Sequence, residues 1–202
     1  MASNGVEAHD RCGFELPGMV QAALRRAREM EFTNACLPEQ GRLLELLARG
    51  RSGGRIGECG TGCGIGLAWM VSAASATTRL VSMEHDVRLA AAAVELFQES
   101  NNVTVLCADW TAIADWAPFD LLVLDAGAKV DRRLDPVDLL APGGGLVIDD
   151  FTPIERWPPL FGGEVDADRL HWFEHPRLLT TEIRLTPTAS SLVAIRRSRD
   201  GW

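Results

Sequence analysis

The sequence predicts an α/β fold: a mostly parallel sheet of seven strands, with helices on both faces and an antiparallel hairpin at the C-terminal end. From residue 55 to residue 149, short apolar runs alternate with segments of helical periodicity. Strands that are separated by helices pair in parallel and are covered on both faces. Near the C-terminus, two strand-like runs are separated only by the turn TPTAS, so they are expected to pair antiparallel.

Two helical segments precede the sheet. Apolar residues recur at helical spacing from Pro17 to Met30. Pro38 suits the first position of a second helix, and Gly50 suits its C-terminal end. We expect residues 1–15 to be an irregular leader. The whole chain, 1–202, is predicted to be one domain, with residues 1–50 as a helical lid and residues 51–202 as the α/β core.

The remaining elements follow in order. The five predicted parallel strands are Arg55–Cys59, Arg79–Glu84, Val103–Cys107, Asp120–Asp125 and Gly145–Asp149. The helical segments between them are Gly66–Ala76, Val87–Ser100, Thr111–Asp115 and Arg133–Leu140. The closing hairpin consists of Leu178–Leu185 and Ser190–Arg197.

Composition excludes several classes of protein. The chain has 202 residues, 47% of them hydrophobic, and a formal net charge of −8, which disfavours binding to nucleic acid or to anionic lipid. The longest nearly apolar stretch, residues 66–76, is too short to span a bilayer. The five cysteines form no disulfide framework. We therefore expect a cytoplasmic protein with neither a nucleic-acid partner nor a membrane partner.

A glycine-rich turn follows the first predicted strand. Residues 58–64 read Glu-Cys-Gly-Thr-Gly-Cys-Gly, an E-x-G-x-G-x-G pattern. In an open α/β sheet, ligands bind beyond the carboxyl ends of the strands, where glycines let the backbone approach them. The spacing matches neither the dinucleotide fingerprint G-x-G-x-x-G nor a phosphate-binding P-loop.

With this turn the chain resembles the class I S-adenosylmethionine-dependent methyltransferases, whose sheet is Rossmann-like. The resemblance implies that Glu84 binds the ribose hydroxyls, Asp109 the adenine amino group, and Asn34 the methionine end, while Trp110 packs on the ring. A solvated strand-end Glu84, a helix-capping Asp109 and a core Trp110 remain open as alternatives. The cofactor-binding residues implied are Asn34, Glu58, Gly60, Thr61, Gly62, Gly64, Glu84, His85, Asp109, Trp110 and Asp125.

Three carboxylates follow the fourth and fifth strands. Asp125, Asp149 and Asp150 are expected to converge beside the glycine turn, where their mutual repulsion would raise their pKa values. A hard divalent cation such as Mg²⁺ would relieve it. Alternatively, the acids cap the following segment or bind substrate without a metal.

This acidic pattern resembles the small metal-dependent O-methyltransferases of the catechol and caffeoyl-coenzyme A type. The family usually has Asn where Asp150 stands, and often has a lysine base where Ala128 stands; here Lys129 follows one residue later. The resemblance implies Asp125, Asp149 and Asp150 as metal ligands, and Asp125 and Lys129 as catalytic residues. A solvated Lys129 is equally open.

The predicted function is therefore methyl transfer from S-adenosylmethionine to a hydroxyl of a small, aromatic type of acceptor, assisted by Mg²⁺ or another divalent cation. A metal-independent methyltransferase acting on O, N or C and a non-catalytic cofactor-binding module are the alternatives. A nicotinamide oxidoreductase is disfavoured by the glycine spacing. Related enzymes are often dimers, so a homodimer is one assembly compatible with the resemblance.

Overall fold

The computed structural model describes residues 5–198. Its strands are β1 (Arg55–Cys59), β2 (Arg79–Glu84), β3 (Val103–Cys107), β4 (Phe119–Leu124), β5 (Leu140–Phe151), β6 (Leu160–Phe161), β7 (Glu164–Val165), β8 (Leu178–Arg184) and β9 (Ser190–Arg196). Its α-helices are α1 (Gly5–Asp10), α2 (Gly18–Glu29), α3 (Pro38–Arg49), α4 (Ile65–Ala73), α5 (Val87–Phe97) and α6 (Ala167–Glu174). Three short 3₁₀ helices cover Trp110–Trp116, Ala126–Lys129 and Pro136–Leu139.

The seven-stranded sheet has the strand order β3-β2-β1-β4-β5-β9-β8. Strands β1 to β5 pair in parallel, whereas β9 pairs antiparallel with both β5 and β8. This confirms the predicted fold class. Because β1 lies between β2 and β4, the strand order reverses at β1, and a crevice for a ligand is expected at the carboxyl ends there.

The two faces of the sheet are covered differently. On one face, Ile56, Leu80 and Val147 belong to a buried cluster with side chains from α2, α3, α4 and α5. On the other face, the covering side chains come from the 3₁₀ helix Trp110–Trp116 and from Trp172 of α6. Successive strand residues point to opposite faces, so every central strand contributes to both clusters.

Several elements differ from the sequence-based expectation. The predicted irregular leader contains α1, which is anchored because Val6 and His9 are buried. The His9 Nε2 atom accepts a hydrogen bond of 3.2 Å from Trp69 Nε1. The predicted helix Arg133–Leu140 is only a 3₁₀ turn, because Asp135 caps Val137 and β5 already begins at Leu140.

The sequence predicts neither a strand nor a helix between β5 and β8. This segment contains the small hairpin β6–β7 and helix α6, whose Arg169 is buried. Within residues 5–198, no helix is both long enough and apolar enough to cross a membrane.

Candidate active site

The glycine turn has a backbone that other residues rarely adopt. Gly60, Gly62 and Gly64 have φ angles of 103°, 53° and 84°, all in the left-handed region. A Cβ atom on Gly62 would lie 2.9 Å from Phe32 Cζ. Helix α4 begins directly after the turn, at Ile65. The glycines are therefore required both by the backbone conformation and by the close packing of Phe32.

Glu84, at the end of β2, is tied to this turn. Its Oε2 atom accepts a hydrogen bond of 2.7 Å from the Gly62 N–H, and its Oε1 atom accepts one of 2.9 Å from the Asp86 N–H. The Glu84 residue is 5% exposed, whereas the His85 side chain beside it is 87% exposed. Glu84 is thus not a solvated strand-end residue, and its oxygens retain lone pairs for two further hydroxyl donors.

Glu58 lies buried beneath the turn. Its Oε2 atom accepts a hydrogen bond of 2.5 Å from Ser82 Oγ, and Ser82 Oγ lies 2.5 Å from Thr61 Oγ1. Burial raises the pKa of Glu58 to about 8, against the opposing effect of the Ser82 hydrogen bond and with a further increase from the nearby Asp125 carboxylate. A positively charged ligand beside Glu58 would favour its ionised form.

Asp109 and Trp110 follow β3. The Asp109 Oδ1 atom accepts a hydrogen bond of 3.0 Å from the Thr111 N–H, so Asp109 is a helix cap, as the alternative interpretation held. The Arg133 guanidinium, 2.9 Å from Asp109 Oδ2, lowers the pKa of Asp109 to about 2. Trp110 is mostly buried, and its Nε1 atom donates to Asp131 at 2.8 Å. Both residues are thus fixed at the strand end where the adenine was predicted.

The segment between α2 and α3 brings residues to the site that the sequence did not single out. Asn34 is exposed there, but Phe32 contacts the glycine turn. The Cys36 thiol has a pKa raised well above its ordinary value by desolvation and by the negative charges of Asp149 and Asp125. No motif marks Phe32 or Cys36 in the sequence; only their position before α3 could have suggested them.

Asp125 and Asp149 lie at the ends of the two adjacent strands. Burial raises the pKa of Asp149 to about 6, and the negative charge of Asp125 adds to this effect. The Ser191 hydroxyl lies 2.8 Å from Asp149 Oδ1 and 2.6 Å from Gln40 Oε1, and its single proton serves one of them at a time. Ser191 of β9 therefore contacts Asp149 directly, and Gln40 of α3 contacts Ser191; the sequence predicted neither residue.

Asp150 turns away from Asp149. Its φ angle is 67°, and the pairing of β5 with β9 shifts register between Ile148 and Phe151. Asp and Asn tolerate this left-handed conformation better than most residues. The Asp150 carboxylate lies 3.1 Å from Lys129 Nζ, which also donates to the Asp149 carbonyl oxygen at 3.3 Å. The one-residue shift in the loop buries Ala128 and leads Lys129 back to the strand end.

The three carboxylates do not form the predicted magnesium site in this arrangement. Asp149 is directed towards Ser191, and Asp150 is directed towards Lys129. In the part of the chain from residue 5 to residue 198, no group of three or more His, Cys, Asp or Glu side chains is placed so that it could hold a metal ion. The donor set, as folded, does not fit Mg²⁺, which requires near-octahedral oxygen ligation.

The chain is similar in sequence to known proteins. Residues 30–156 match the family model described as protein-L-isoaspartate(D-aspartate) O-methyltransferase. The chain is 30% identical over 192 residues to a protein from Mycobacterium avium (strain 104) named "Putative O-methyltransferase", covering 89% of this chain and 84% of that protein.

Solved structures share the fold. Cofactor-bound Rv0187 from MTB superposes with a TM-score of 0.76 at 23% identity, covering 98% of this chain and 100% of that one. The O-methyltransferase from Bacillus cereus in complex with SAH superposes with a TM-score of 0.71 at 18% identity, covering 96% of each chain. The family model and the mycobacterial relative show that the chain belongs to the class I S-adenosylmethionine-dependent methyltransferases, among the O-methyltransferases.

Proposed function

We propose that this protein transfers the methyl group of S-adenosylmethionine to the hydroxyl oxygen of a small, phenol-type molecule. The observation that carries the proposal is the proximity of Glu58, at the glycine turn, to Asp125, at the end of the neighbouring strand. Glu58 beneath the glycine turn is close enough to Asp125 for the charge of Asp125 to raise the pKa of Glu58. A cofactor held by the turn would therefore present its methyl group beside Asp125.

The acidic character of the site suits this cofactor. S-adenosylmethionine carries a sulfonium and an ammonium, whereas the product S-adenosylhomocysteine has lost the sulfonium charge. Besides burial, the negative charge of Asp125 raises the pKa values of both Glu58 and Asp149, so negative charges gather at this end of the sheet. A cationic ligand relieves that repulsion. In this proposal, Glu84 binds the ribose hydroxyls and the strand end with Asp109 and Trp110 receives the adenine.

The reaction exchanges one bond for another. The acceptor oxygen forms a bond to the methyl carbon while the carbon–sulfur bond breaks, and the bonding pair returns to sulfur to give an uncharged thioether. The hydroxyl proton passes to Asp125, which acts as general base. Much of the rate would come from holding oxygen, carbon and sulfur in line. The earlier prediction that Lys129 is the base stays a prediction, but its ion pair with Asp150 favours Asp125.

A hydroxyl is a better acceptor for this site than a carboxylate. The matched family model is named for a methyltransferase that acts on isoaspartate. A carboxylate acceptor would add a negative charge next to Asp125 and Asp149, which already repel each other. A neutral hydroxyl adds none. An isoaspartyl peptide is therefore included in the test as the second acceptor class.

The first test is a thermal-shift titration with S-adenosylmethionine, S-adenosylhomocysteine and NAD. A ligand that binds only the folded state raises the melting temperature by mass action. We expect both sulfur nucleosides to stabilise the protein and NAD to have no effect. Stabilisation by NAD alone would contradict the cofactor assignment.

The second test identifies the acceptor. The protein is incubated with S-adenosylmethionine and a panel of catechols, monophenols and an isoaspartyl peptide, with parallel samples containing Mg²⁺ or a chelator. We expect S-adenosylhomocysteine to accumulate with a phenol and not with the peptide. Methylation of the peptide alone would overturn the acceptor class, and the chelator samples test the Mg²⁺ prediction separately.

We also propose a reducing, cytoplasmic setting, supported by five cysteines that are all free. A homodimer stays a prediction that light scattering would test.

A further inference from the structure

We propose that the Lys129 ammonium supplies the positive charge that a divalent cation supplies in the metal-dependent O-methyltransferases, so that this protein transfers methyl groups without an added metal ion. The proposal rests on the function proposed above, because it assigns a role within the same site. It starts from the observation that the carboxylates of Asp149 and Asp150, which are expected to bind Mg²⁺ together, have separate partners in the folded protein.

The first observation is the identity of the residue. Lys129 is the only lysine in the sequence, and every other basic side chain among the 20 lysines and arginines is an arginine. An ammonium is a compact point charge with three donors, whereas a guanidinium is a planar fork that binds carboxylates side by side. A compact charge is the closer substitute for a metal ion.

The second observation is how the ammonium is held. Lys129 Nζ lies 3.1 Å from Asp150 Oδ2 and 3.3 Å from the Asp149 carbonyl oxygen. It lies 5.8 Å from the centre of the Phe151 ring. The Lys129 side chain is 18% exposed, although its partner Asp150 is 83% exposed. Three consecutive residues at the end of β5 thus surround a largely sheltered positive charge.

The third observation is that this arrangement competes with a metal ion. A cation bound by both Asp149 and Asp150 would need both carboxylates to converge. Instead, Asp150 is turned outwards by its left-handed backbone and is neutralised by Lys129, while Asp149 is engaged by Ser191. A divalent ion that bound between Asp149 and Asp150 would have to displace the Lys129 ammonium and would be repelled by it.

The consequence for the reaction is electrostatic. As the acceptor hydroxyl loses its proton to Asp125, negative charge develops on the oxygen. Lys129 is connected to Asp125 by the single 3₁₀ turn Ala126–Lys129, and in this scheme its ammonium stabilises that charge in a sheltered site, where such interactions are stronger than in water. In this scheme Lys129 takes no part in the proton transfer, and its counter-ion Asp150 keeps it in place.

The first experiment measures metal binding and needs no acceptor. Mn²⁺ is titrated into the chelator-treated full chain, and free Mn²⁺ is followed by electron paramagnetic resonance. We expect no stoichiometric binding by the wild type at millimolar Mn²⁺, and binding at least about tenfold tighter by Lys129→Met, because this change removes the positive charge that repels the cation. Stoichiometric binding by the wild type that Asp149→Asn abolishes would overturn the proposal, as would a Lys129→Met variant that binds no better than the wild type.

The second experiment measures turnover with a catechol in chelator-treated buffer. We expect full wild-type activity, a loss of about 100-fold in kcat for Lys129→Met, and partial activity for Lys129→Arg, which keeps the charge. Arg49→Met is the control, since it removes an exposed positive charge at the C-terminal end of α3; we expect it to act like the wild type. Activity that vanishes with the chelator and returns with Mg²⁺ would contradict the proposal.

The two proposals can fail independently. If no phenol is methylated, the function proposed above fails while the Mn²⁺ titration still decides how Lys129 and the carboxylates are used.

Discussion

At the ends of β1 and β2 the central contact joins two residues of one βαβ unit, whereas at the end of β5 the Asp149 carboxylate is surrounded by side chains from β9 and α3. In the proposed cofactor region, which is the glycine turn with Glu84, Gly62 and Glu84 are separated by 22 positions. In the proposed acceptor region, which surrounds Asp125 and Asp149, Gln40 and Ser191 are separated by 151 positions, and Ser191 and Asp149 by 42. The cofactor region thus follows from one local βαβ unit, and the acceptor region depends on the whole sheet. The two regions should therefore respond differently to substitution.

The largest expected effect is a loss of turnover without a comparable loss of cofactor binding. Asp125→Asn should lower kcat by about 100-fold or more, because it removes the group proposed to accept the proton. The affinity for S-adenosylmethionine should fall much less, by under about tenfold, because the glycine turn and Glu84 remain although one carboxylate beside the cationic cofactor is neutralised. Turnover and isothermal titration calorimetry measure the two quantities. A parallel loss of cofactor binding would mean that the two regions are not separable.

The next largest effect is expected on cofactor binding. Gly62→Ala forces a side chain into a left-handed backbone beside Phe32, at a cost of roughly 1–2 kcal/mol from the backbone alone. We expect S-adenosylmethionine to bind at least about tenfold more weakly. The control is Gly18→Ala, where a Cβ atom meets nothing within 4 Å. Unchanged affinity in Gly62→Ala would show that the turn is not part of the cofactor site.

A smaller effect concerns pH, and both regions contribute to it. The folded state raises the pKa of Glu58 to about 8 and that of Asp149 to about 6. Because the folded protein holds these protons more tightly than the unfolded chain does, this stability is present below the ordinary carboxyl pKa and is lost as the pH rises through 6 and then 8. The melting temperature of the ligand-free protein should therefore fall across that window.

Glu58→Gln provides the control for the pH effect. The variant should lose the upper part of the decline and keep the part due to Asp149. Thermal melts across a pH series measure it. An unchanged slope in Glu58→Gln would contradict the assignment of the higher pKa to Glu58.

The smallest effect is expected at the rim of the cofactor region. Arg133 forms ion pairs with Asp109 and Asp131, and both the arginine and Asp109 side chains are more than half exposed. Exposed ion pairs contribute about 0–1 kcal/mol. Arg133→Ala should lower the melting temperature by only about 2–4 °C at most. A much larger loss would mean that Arg133 organises the end of β3.

The comparison also explains what could be predicted from the sequence. Strands β1, β2 and β3 have the predicted bounds, because each is a short apolar run that ends at a turn. Helix α1 was missed because its stability comes from the contact between His9 and Trp69, 60 positions away, and not from its own pattern. Gln40 and Ser191 could not be predicted for the same reason, because their contacts form only when distant parts of the chain pack together.

Lys129 and Asp150 show most clearly which contacts cannot be predicted from the sequence. Both were identified as candidates, but their contact depends on the left-handed backbone at Asp150 and on the register shift of β5 against β9. Neither feature leaves a signal in the sequence. Three carboxylates at two strand ends therefore predicted a metal site that the folded arrangement does not form.

The most direct test of this account follows the methyl group itself. The protein is incubated in chelator-treated buffer with S-adenosylmethionine carrying a ¹³C-labelled methyl group and a catechol acceptor, and the products are analysed by NMR and mass spectrometry. The account predicts a ¹³C-methyl group bonded to oxygen and an equal amount of S-adenosylhomocysteine. Labelled methyl groups found only on nitrogen or carbon, or consumption of cofactor only after Mg²⁺ is added, would contradict it.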